Sequence, residues 1–240
     1  MSQRPHVLVN MAMTADGKID TVERVGARIS GVADTVRVDQ LRAAADAVMV
    51  GGRTLLSEDP RLTVRDTALC ARREQEGRTA QPAKVAVVSR IGRPGDEGSL
   101  PARSRFLHDG GGQVIVCTTG RSDPLAVAWL ERQGARVLVL GDERVDLSAA
   151  LTILRALGVE RLMVEGGSTL LAALLEARLV DELQITVAPL LFGGESAPTP
   201  VGGRGWSRDE AIELALVGTA ASSEGDVVLH YRVPGAPVHG

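Results

Sequence analysis

Apolar residues recur along the chain in two periods, and the alternation between them sets out the elements. Six short runs, HVLVNMA (6–12), AVMVG (47–51), KVAVVS (84–89), QVIVC (113–117), RVLVL (136–140) and RLMVE (161–165), are nearly continuous in Val, Leu, Ile and Met. Such runs suit parallel strands covered on both faces. Between them, 34–45, 123–133, 146–157 and 168–178 carry helical spacing; in the first, Val38, Leu41, Ala44 and Ala45 share one face. Asp34 before the first helix, Ser122 and Asp123 before the second and Gly158 after the third stand where caps belong. After residue 180 the rhythm changes to ELQITVAPLL, IELALVGTA and DVVLHYRV, three extended segments with no helix between them.

The pattern predicts an α/β fold with a mostly parallel central sheet flanked by helices and an antiparallel C-terminal edge. Residues 66–82 and the glycine-rich 90–112 read as irregular surface excursions. No repeat and no linker divides the chain, so we expect a single domain over 1–240, with a core of about 6–232 and a frayed tail at 234–240.

Composition narrows the function. The chain has 240 residues, 44% apolar and 24% charged. A chain of this size buries roughly 70 to 75% of its unfolded surface, enough to close a core without a disulfide or structural metal. Cys70 and Cys117 lie outside any metal-ligand spacing, so no metal site and a reducing cytoplasmic setting are expected. A net charge of −3 and five scattered aromatics, Phe106, Trp129, Phe192, Trp206 and Tyr231, give no footprint for nucleic acid. No apolar run reaches the length of a membrane span, and no signal peptide opens the chain. All but two of the 27 cations, Lys18 and Lys84, are arginine, so a phosphate here would meet guanidinium forks or backbone N–H groups.

The usual dinucleotide, P-loop, zinc-protease and hydrolase motifs are missing, and His6, His108, His230 and His239 are unclustered along the sequence. Four segments carry chemistry. In LMVEGGSTLLAALLEARL (162–179) a strand ends at Glu165, Gly166 and Gly167 follow, and Ser168 and Thr169 open a helix. That is either a phosphate cradle at a helix N-terminus or a tight turn with a serine cap. DAVMVGGRTLLSEDPRLTVR (46–65) repeats the device with Gly51 and Gly52, and two such turns can face a cleft at the strands' C-terminal ends. KVAVVSR ends in Ser89 and Arg90, a pair suited to the 2′-phosphate of NADPH. In VNMAMTADGKI (9–19), Asn10, Ala12 and Thr14 alternate toward one face where a flat ring could lie.

In this order and spacing, NMAMTADGKI, LRAAADAVMVGGRTLLSEDPRLTVR, LMVEGGSTLL and LVDELQITVAPLLFGGESAPT resemble the reductase domain of riboflavin biosynthesis. This dihydrofolate reductase-like family includes the C-terminal half of bifunctional bacterial RibD and stand-alone archaeal and fungal reductases. The resemblance runs from about residue 6 to residue 232 and implies a homodimer that uses NADPH to reduce a pyrimidine ribosylamino 5′-phosphate to its ribityl form. By position, Ala12, Thr54, Glu58, Ser89 and the run Gly167, Ser168, Thr169, Leu170, Leu171, Ala172 and Ala173 would face NADPH, while Arg42, Leu62, Arg65 and Glu165 would face substrate. Hydride would pass to C1′ of the ring-opened imine, with Asp59 and Glu165 the candidates for assistance. Two features depart from the family. Glu58-Asp59-Pro60 replaces the usual Asp-Asp-Pro, and VGARIS lacks the Ser and Trp of bifunctional enzymes near Gly26 and Arg28. Lys18 of the DGKI turn carries no assigned role.

No HxE…PCxxC deaminase signature is present, so a separate deaminase is expected, and DGKI and VAPLLFGGESAPT sit closest to the stand-alone relatives. The favoured substrate is therefore 2,5-diamino-6-(ribosylamino)-4(3H)-pyrimidinone 5′-phosphate rather than 5-amino-6-(5-phosphoribosylamino)uracil. Rival readings are a dihydrofolate or other pteridine reductase, with Asp34 or Asp39 as the pteridine-binding acid, and a non-catalytic nucleotide sensor.

Overall fold

The computed structural model describes residues 3–234; the tail expected at 234–240 lies outside them from residue 235 on. In chain order the elements are β1 (His6–Thr14), α1 (Val32–Ala44), β2 (Ala47–Gly51), α2 (Gly52–Glu58), α3 (Thr67–Gln75), β3 (Ala83–Val87), α4 (Arg105–His108), β4 (Val114–Thr118), α5 (Pro124–Arg132), β5 (Arg136–Val139), α6 (Leu147–Ala156), β6 (Arg161–Val164), α7 (Ser168–Glu176), β7 (Glu182–Ala188), β8 (Ala215–Ala221) and β9 (Val227–Arg232). They form two compact units: one from His6–Val38 and the described residues from Val164 to Pro234, the other from Asp39–Met163.

In the second unit the strands run β5-β4-β3-β2, all parallel, with Ala47 beside Ala83 and Lys84 beside Val114. β2 and β4 are buried at every position, as their unbroken apolar sequences require. In the first unit β1 pairs β7 in parallel, and β9 and then β8 continue antiparallel. The mostly parallel α/β fold with an antiparallel C-terminal edge thus matches the period reading.

Capping divides the helices. Asp66, Ser104, Asp123 and Asp146 accept a backbone N–H in the first turns of α3, α4, α5 and α6. α2 and α7 start instead at Gly51 and Gly167, with no side-chain cap. At three points the expected pattern is corrected. Asp34 lies inside the first turn of α1 rather than before it, and Ser168 is the first helical residue rather than a cap. The excursion at 66–82 contains α3, whose sequence TALCARREQ buries only Arg73 and so shows no apolar stripe. Among the late extended segments, β7 lies between β1 and β9, and the exposed strand is β8, with Leu216 and Val217.

Candidate functional site

Two of the expected segments meet at the C-terminal ends of β2 and β3. Parallel pairing sets Gly51 beside Val87, and a Cβ built on Gly52 would come within 3.0 Å of the Val88 side chain. Glycine at 52 therefore lets α2 start directly over β3. Thr54 is half-buried on α2, and Glu58 is its exposed last residue, with its backbone carbonyl accepting from Arg105 Nη2. Ser89 and Arg90 are exposed just past β3. Thr119 Oγ1 donates to the Ser89 carbonyl at 2.6 Å, whereas the Arg90 guanidinium has no partner among the described residues.

The chain from Asp59 to Asp66 is held from three sides. The Asp59 carboxylate accepts from Ser104 Oγ (2.6 Å), the Arg105 amide (2.6 Å) and the Phe106 amide (3.0 Å), which ties both oxygens to the start of α4. On α1, Asp39 accepts from the amides of Arg65 (2.9 Å) and Asp66 (2.8 Å), and Arg42 Nη1 donates to the Thr63 carbonyl at 2.9 Å. Gln81 closes the third side by bonding both the amide and the carbonyl of Val64. Leu62 takes a left-handed backbone (φ 52°) with its side chain buried, while the Arg65 side chain is exposed and without a partner among the described residues. Arg42 and Arg65 thus lie on one clamped scaffold, and Leu62 serves it as a core anchor.

In the first unit, half-buried Glu165 leads into Gly166 (φ 141°) and Gly167 (φ 89°), a backbone that L side chains rarely adopt. Gly166 is buried, yet a Cβ on it would have no neighbour within 4 Å, and the first amides of α7 have no side-chain acceptor. Ser168 and Thr169 remain accessible; Leu170, Leu171 and Ala172 are core residues and can serve a ligand only through their backbone. An uncapped nine-residue helix behind a glycine turn fits a phosphate of a dinucleotide.

Asn10, Ala12 and Thr14 do share a face of β1, and Asn10 is only 6% exposed. Its Oδ1 accepts from Arg37 Nη2 at 2.7 Å. The same guanidinium donates to Gln184 Oε1 (2.6 Å), Thr186 Oγ1 (3.0 Å) and Asp34 Oδ1 (2.7 Å from Nη2, 2.9 Å from Nε). Burial pushes the Asp34 carboxyl up, but hydrogen bonds from Ser30 and Thr186 and the Arg37 charge outweigh it and hold it below its ordinary value. At the end of β1, Thr14 Oγ1 donates to Asp16 (2.5 Å), and Asp16 accepts from the amides of Phe192 (3.2 Å) and Gly193 (2.6 Å). The Thr14 bond leads the forces that lower the Asp16 carboxyl. The DGKI turn is thereby latched to the FGG loop.

Sequence reasoning missed Arg37, which one position in an amphipathic helix cannot single out, and the clamping role of Asp39. It also missed that His6 and His230 converge on Glu182, at 3.4 and 2.8 Å, because strand pairing brings together residues that lie far apart in the chain.

Comparisons with known proteins identify the family. A family model described as RibD C-terminal domain matches residues 5–228. The chain is 40% identical to the 2,5-diamino-6-ribosylamino-4(3H)-pyrimidinone 5′-phosphate reductase of Archaeoglobus fulgidus over 210 residues, covering 88% of this chain and 92% of that protein. It is also 40% identical to the protein of the same name from Methanothermobacter thermautotrophicus, over 97% of this chain and all of that one. Among solved structures, Acinetobacter baumannii RibD superposes with a TM-score of 0.75 at 24% identity, a likeness of fold in which the chain spans 58% of that longer protein.

Proposed function

The chain belongs to the RibD C-terminal domain family, and from that premise we propose that it reduces the ribosyl group of 2,5-diamino-6-ribosylamino-4(3H)-pyrimidinone 5′-phosphate to ribityl, with NADPH as reductant. The observation that carries the reading is 40% identity along the full length of a stand-alone relative bearing that activity in its name. The two uncapped glycine turns before α2 and α7 support it, because they are where phosphates of a dinucleotide would be held.

When bound, the nicotinamide would supply a hydride for C1′ of the ring-opened imine, with a proton at the neighbouring nitrogen completing the reduction. The protein's share is to hold and orient. Thr54, Glu58, Ala12 and the start of α7, from Gly166 to Thr169 with Ala173, are assigned to the cofactor, Ser89 and Arg90 to its 2′-phosphate. Arg42 and Arg65 are assigned to the sugar phosphate, which two guanidinium forks can grip from a rigid loop. Asn10, with its Oδ1 held by Arg37, presents its amide donor to the ring, and Glu165 accepts from a hydroxyl or the exocyclic amine. Both oxygens of Asp59 face donors from α4, so we assign it to supporting the loop rather than to proton transfer.

A pteridine reductase would require a carboxylate available to the ring. Asp34 is tied to Arg37 and Thr186, and both Asp39 oxygens accept backbone amides, which weighs against that alternative. We further propose a cytoplasmic homodimer that works with a separate deaminase. Two free cysteines suit a reducing compartment, and exposed Leu216 and Val217 on β8 offer apolar surface for a second copy. No helix among the described residues is long and apolar enough to cross a membrane.

Following NADPH oxidation with the diamino substrate and with the aminouracil tests the reading. A higher kcat/KM for the diamino compound is expected; a clear preference for the aminouracil would reverse the order of steps, and oxidation by neither would remove the assignment. Arg90→Ala should weaken NADPH and leave NADH nearly unchanged, and equal losses would count against the 2′-phosphate contact. Light scattering at micromolar concentration should give twice the chain mass.

A further inference from the structure

We propose that the second unit carries an anion site separate from the reductase centre, built to take the phosphoryl group of a small organic molecule. A cavity of about 400 Å³ lies beside α3 and the last turn of α1, and Arg72, Arg73, Arg78 and Arg161 line it against a single carboxylate, Glu76. Its volume falls within the usual range for small-molecule sites.

Part of this arginine set serves the fold. Arg73 donates from Nε to the Thr79 carbonyl (2.9 Å) and from Nη1 to the carbonyls of Ala43 (2.7 Å) and Ala45 (2.6 Å). Arg78 adds bonds to Ala43 (3.1 Å) and Ala44 (3.2 Å) and to Asp46 Oδ1 (2.8 Å), so the two close the negative end of α1. That duty leaves a remainder. A guanidinium has five N–H donors, and those on Arg73 Nη2 have no acceptor among the described residues. Thr21 Oγ1 is the one fully buried side-chain polar atom without a partner among the described residues, so Arg73 Nη2 is not sealed in and its donors are open to a ligand in the cavity that Arg73 lines.

Arg161 leaves a second remainder. Only its backbone is engaged, the amide donating to Asp46 Oδ2 at 2.8 Å and the carbonyl accepting the Asp46 amide at 2.8 Å; the side chain makes no hydrogen bond or ion pair among the described residues. Burial and then the like charges of Arg78 and Arg161 depress the Arg73 guanidinium from its ordinary value, the field that a bound anion would relieve. Arg72 also pairs with Glu76 (2.9 Å), yet the four arginines outnumber that carboxylate in the lining, and guanidinium forks suit the tetrahedral oxygens of a phosphoryl group. The cavity holds more than a bare phosphate, and Leu69, Ala44 and the Gln40 amide give the organic remainder a wall.

The site stands at the N-terminal end of β2, beside Asp46, whereas Thr54, Ser89 and Arg90 follow the C-terminal ends of β2 and β3. One strand length, roughly 15 Å, therefore separates the two within this unit. The inference does not depend on the reductase reading.

Calorimetric titration of inorganic pyrophosphate at low salt tests it, in an Arg65→Ala/Arg90→Ala background that removes the two exposed arginines of the three assigned to the reductase centre and keeps Arg42, which also holds the Thr63 carbonyl. One equivalent should bind, and adding Arg72→Ala and Arg161→Ala should weaken it at least about tenfold, the loss of one charge-assisted hydrogen bond. Neither substitution threatens the fold, because the Arg72 side chain is 74% exposed and the Arg161 side chain makes no hydrogen bond among the described residues. In the otherwise native chain, Arg72→Ala/Arg161→Ala should keep full reductase turnover. No saturable binding, binding indifferent to Arg72 and Arg161, or turnover lost with them would each overturn the proposal.

Discussion

Replacing Arg37 with methionine removes the hub of the buried polar network in the first unit. The methionine would keep the apolar stem of the side chain, but Asn10, Gln184 and Thr186 would each lose a donor and Asp34 its counter-charge. Breaking a buried ion pair by deleting one partner costs about 3 to 5 kcal/mol. The Arg37 side chain is 21% exposed and Asp34 keeps its bond from Thr186 (2.8 Å), so the lower end applies and we expect a loss of about 3 kcal/mol. Adding Asp34→Asn should restore about 1 to 2 kcal/mol, because the unpaired charge goes with it. Urea titration of the two single variants and the double, read from midpoints at unchanged slope, measures both quantities. The pH dependence has a definite sign. The Asp34 carboxyl is held low in the native chain, so it contributes stability above its unfolded value of about 3.9 that is lost as pH falls through its lower folded value. Without Arg37 that carboxyl titrates higher, and acid unfolding should begin at a higher pH. A methionine variant within about 1 kcal/mol of wild type, or strictly additive single losses, would refute the network as a coupled unit.

The other expectations concern separate parts of the molecule. Gly167→Val forces a branched side chain onto a backbone at φ 89° and should abolish nicotinamide binding, checked by cofactor titration of protein that keeps its circular dichroism; normal affinity in a folded variant would leave the turn with a structural duty alone. Asp59→Ala removes three hydrogen bonds at the start of α4 and should lower stability by about 1 to 2 kcal/mol while turnover per folded molecule stays within a few-fold; a collapse of kcat in stable protein would return Asp59 to the chemistry. Burial pushes the Cys117 thiol up to about 12, so a thiol reagent at neutral pH should modify half-exposed Cys70 first and reach Cys117 only after denaturation, as mass spectrometry of the labelled peptides would report.

Strand and helix identities were legible in the sequence wherever burial wrote a period into it. The runs at 47–51 and 113–117 became β2 and β4 within a residue, because a strand covered on both faces admits little but Val, Leu, Ile, Met and Ala. The glycine turns at 51–52 and 166–167 were legible for a related reason: close approach to Val88 and a left-handed backbone exclude other residues there. Helix α3 was not legible, since its one buried residue is an arginine that reaches the carbonyls of another helix. A surface helix stabilised by polar bonds to distant chain leaves no hydrophobic stripe to read.

The candidate site divides along the same line. Which residue types lie at strand ends, and the family motifs they make, belong to the chain itself. Which carboxylates are available was decided by tertiary contacts: Asp34, Asp39 and Asp59 look alike in sequence, yet they meet donors across 152, 26 and 45 positions. The meeting of Arg73, Arg78 and Arg161 was decided in the same way, as was that of His6 and His230 at Glu182. Local sequence sets backbone preference and burial, whereas hydrogen bonds and charge pairs depend on where folding carries residues far apart in the chain, and that information is held in the three-dimensional arrangement alone.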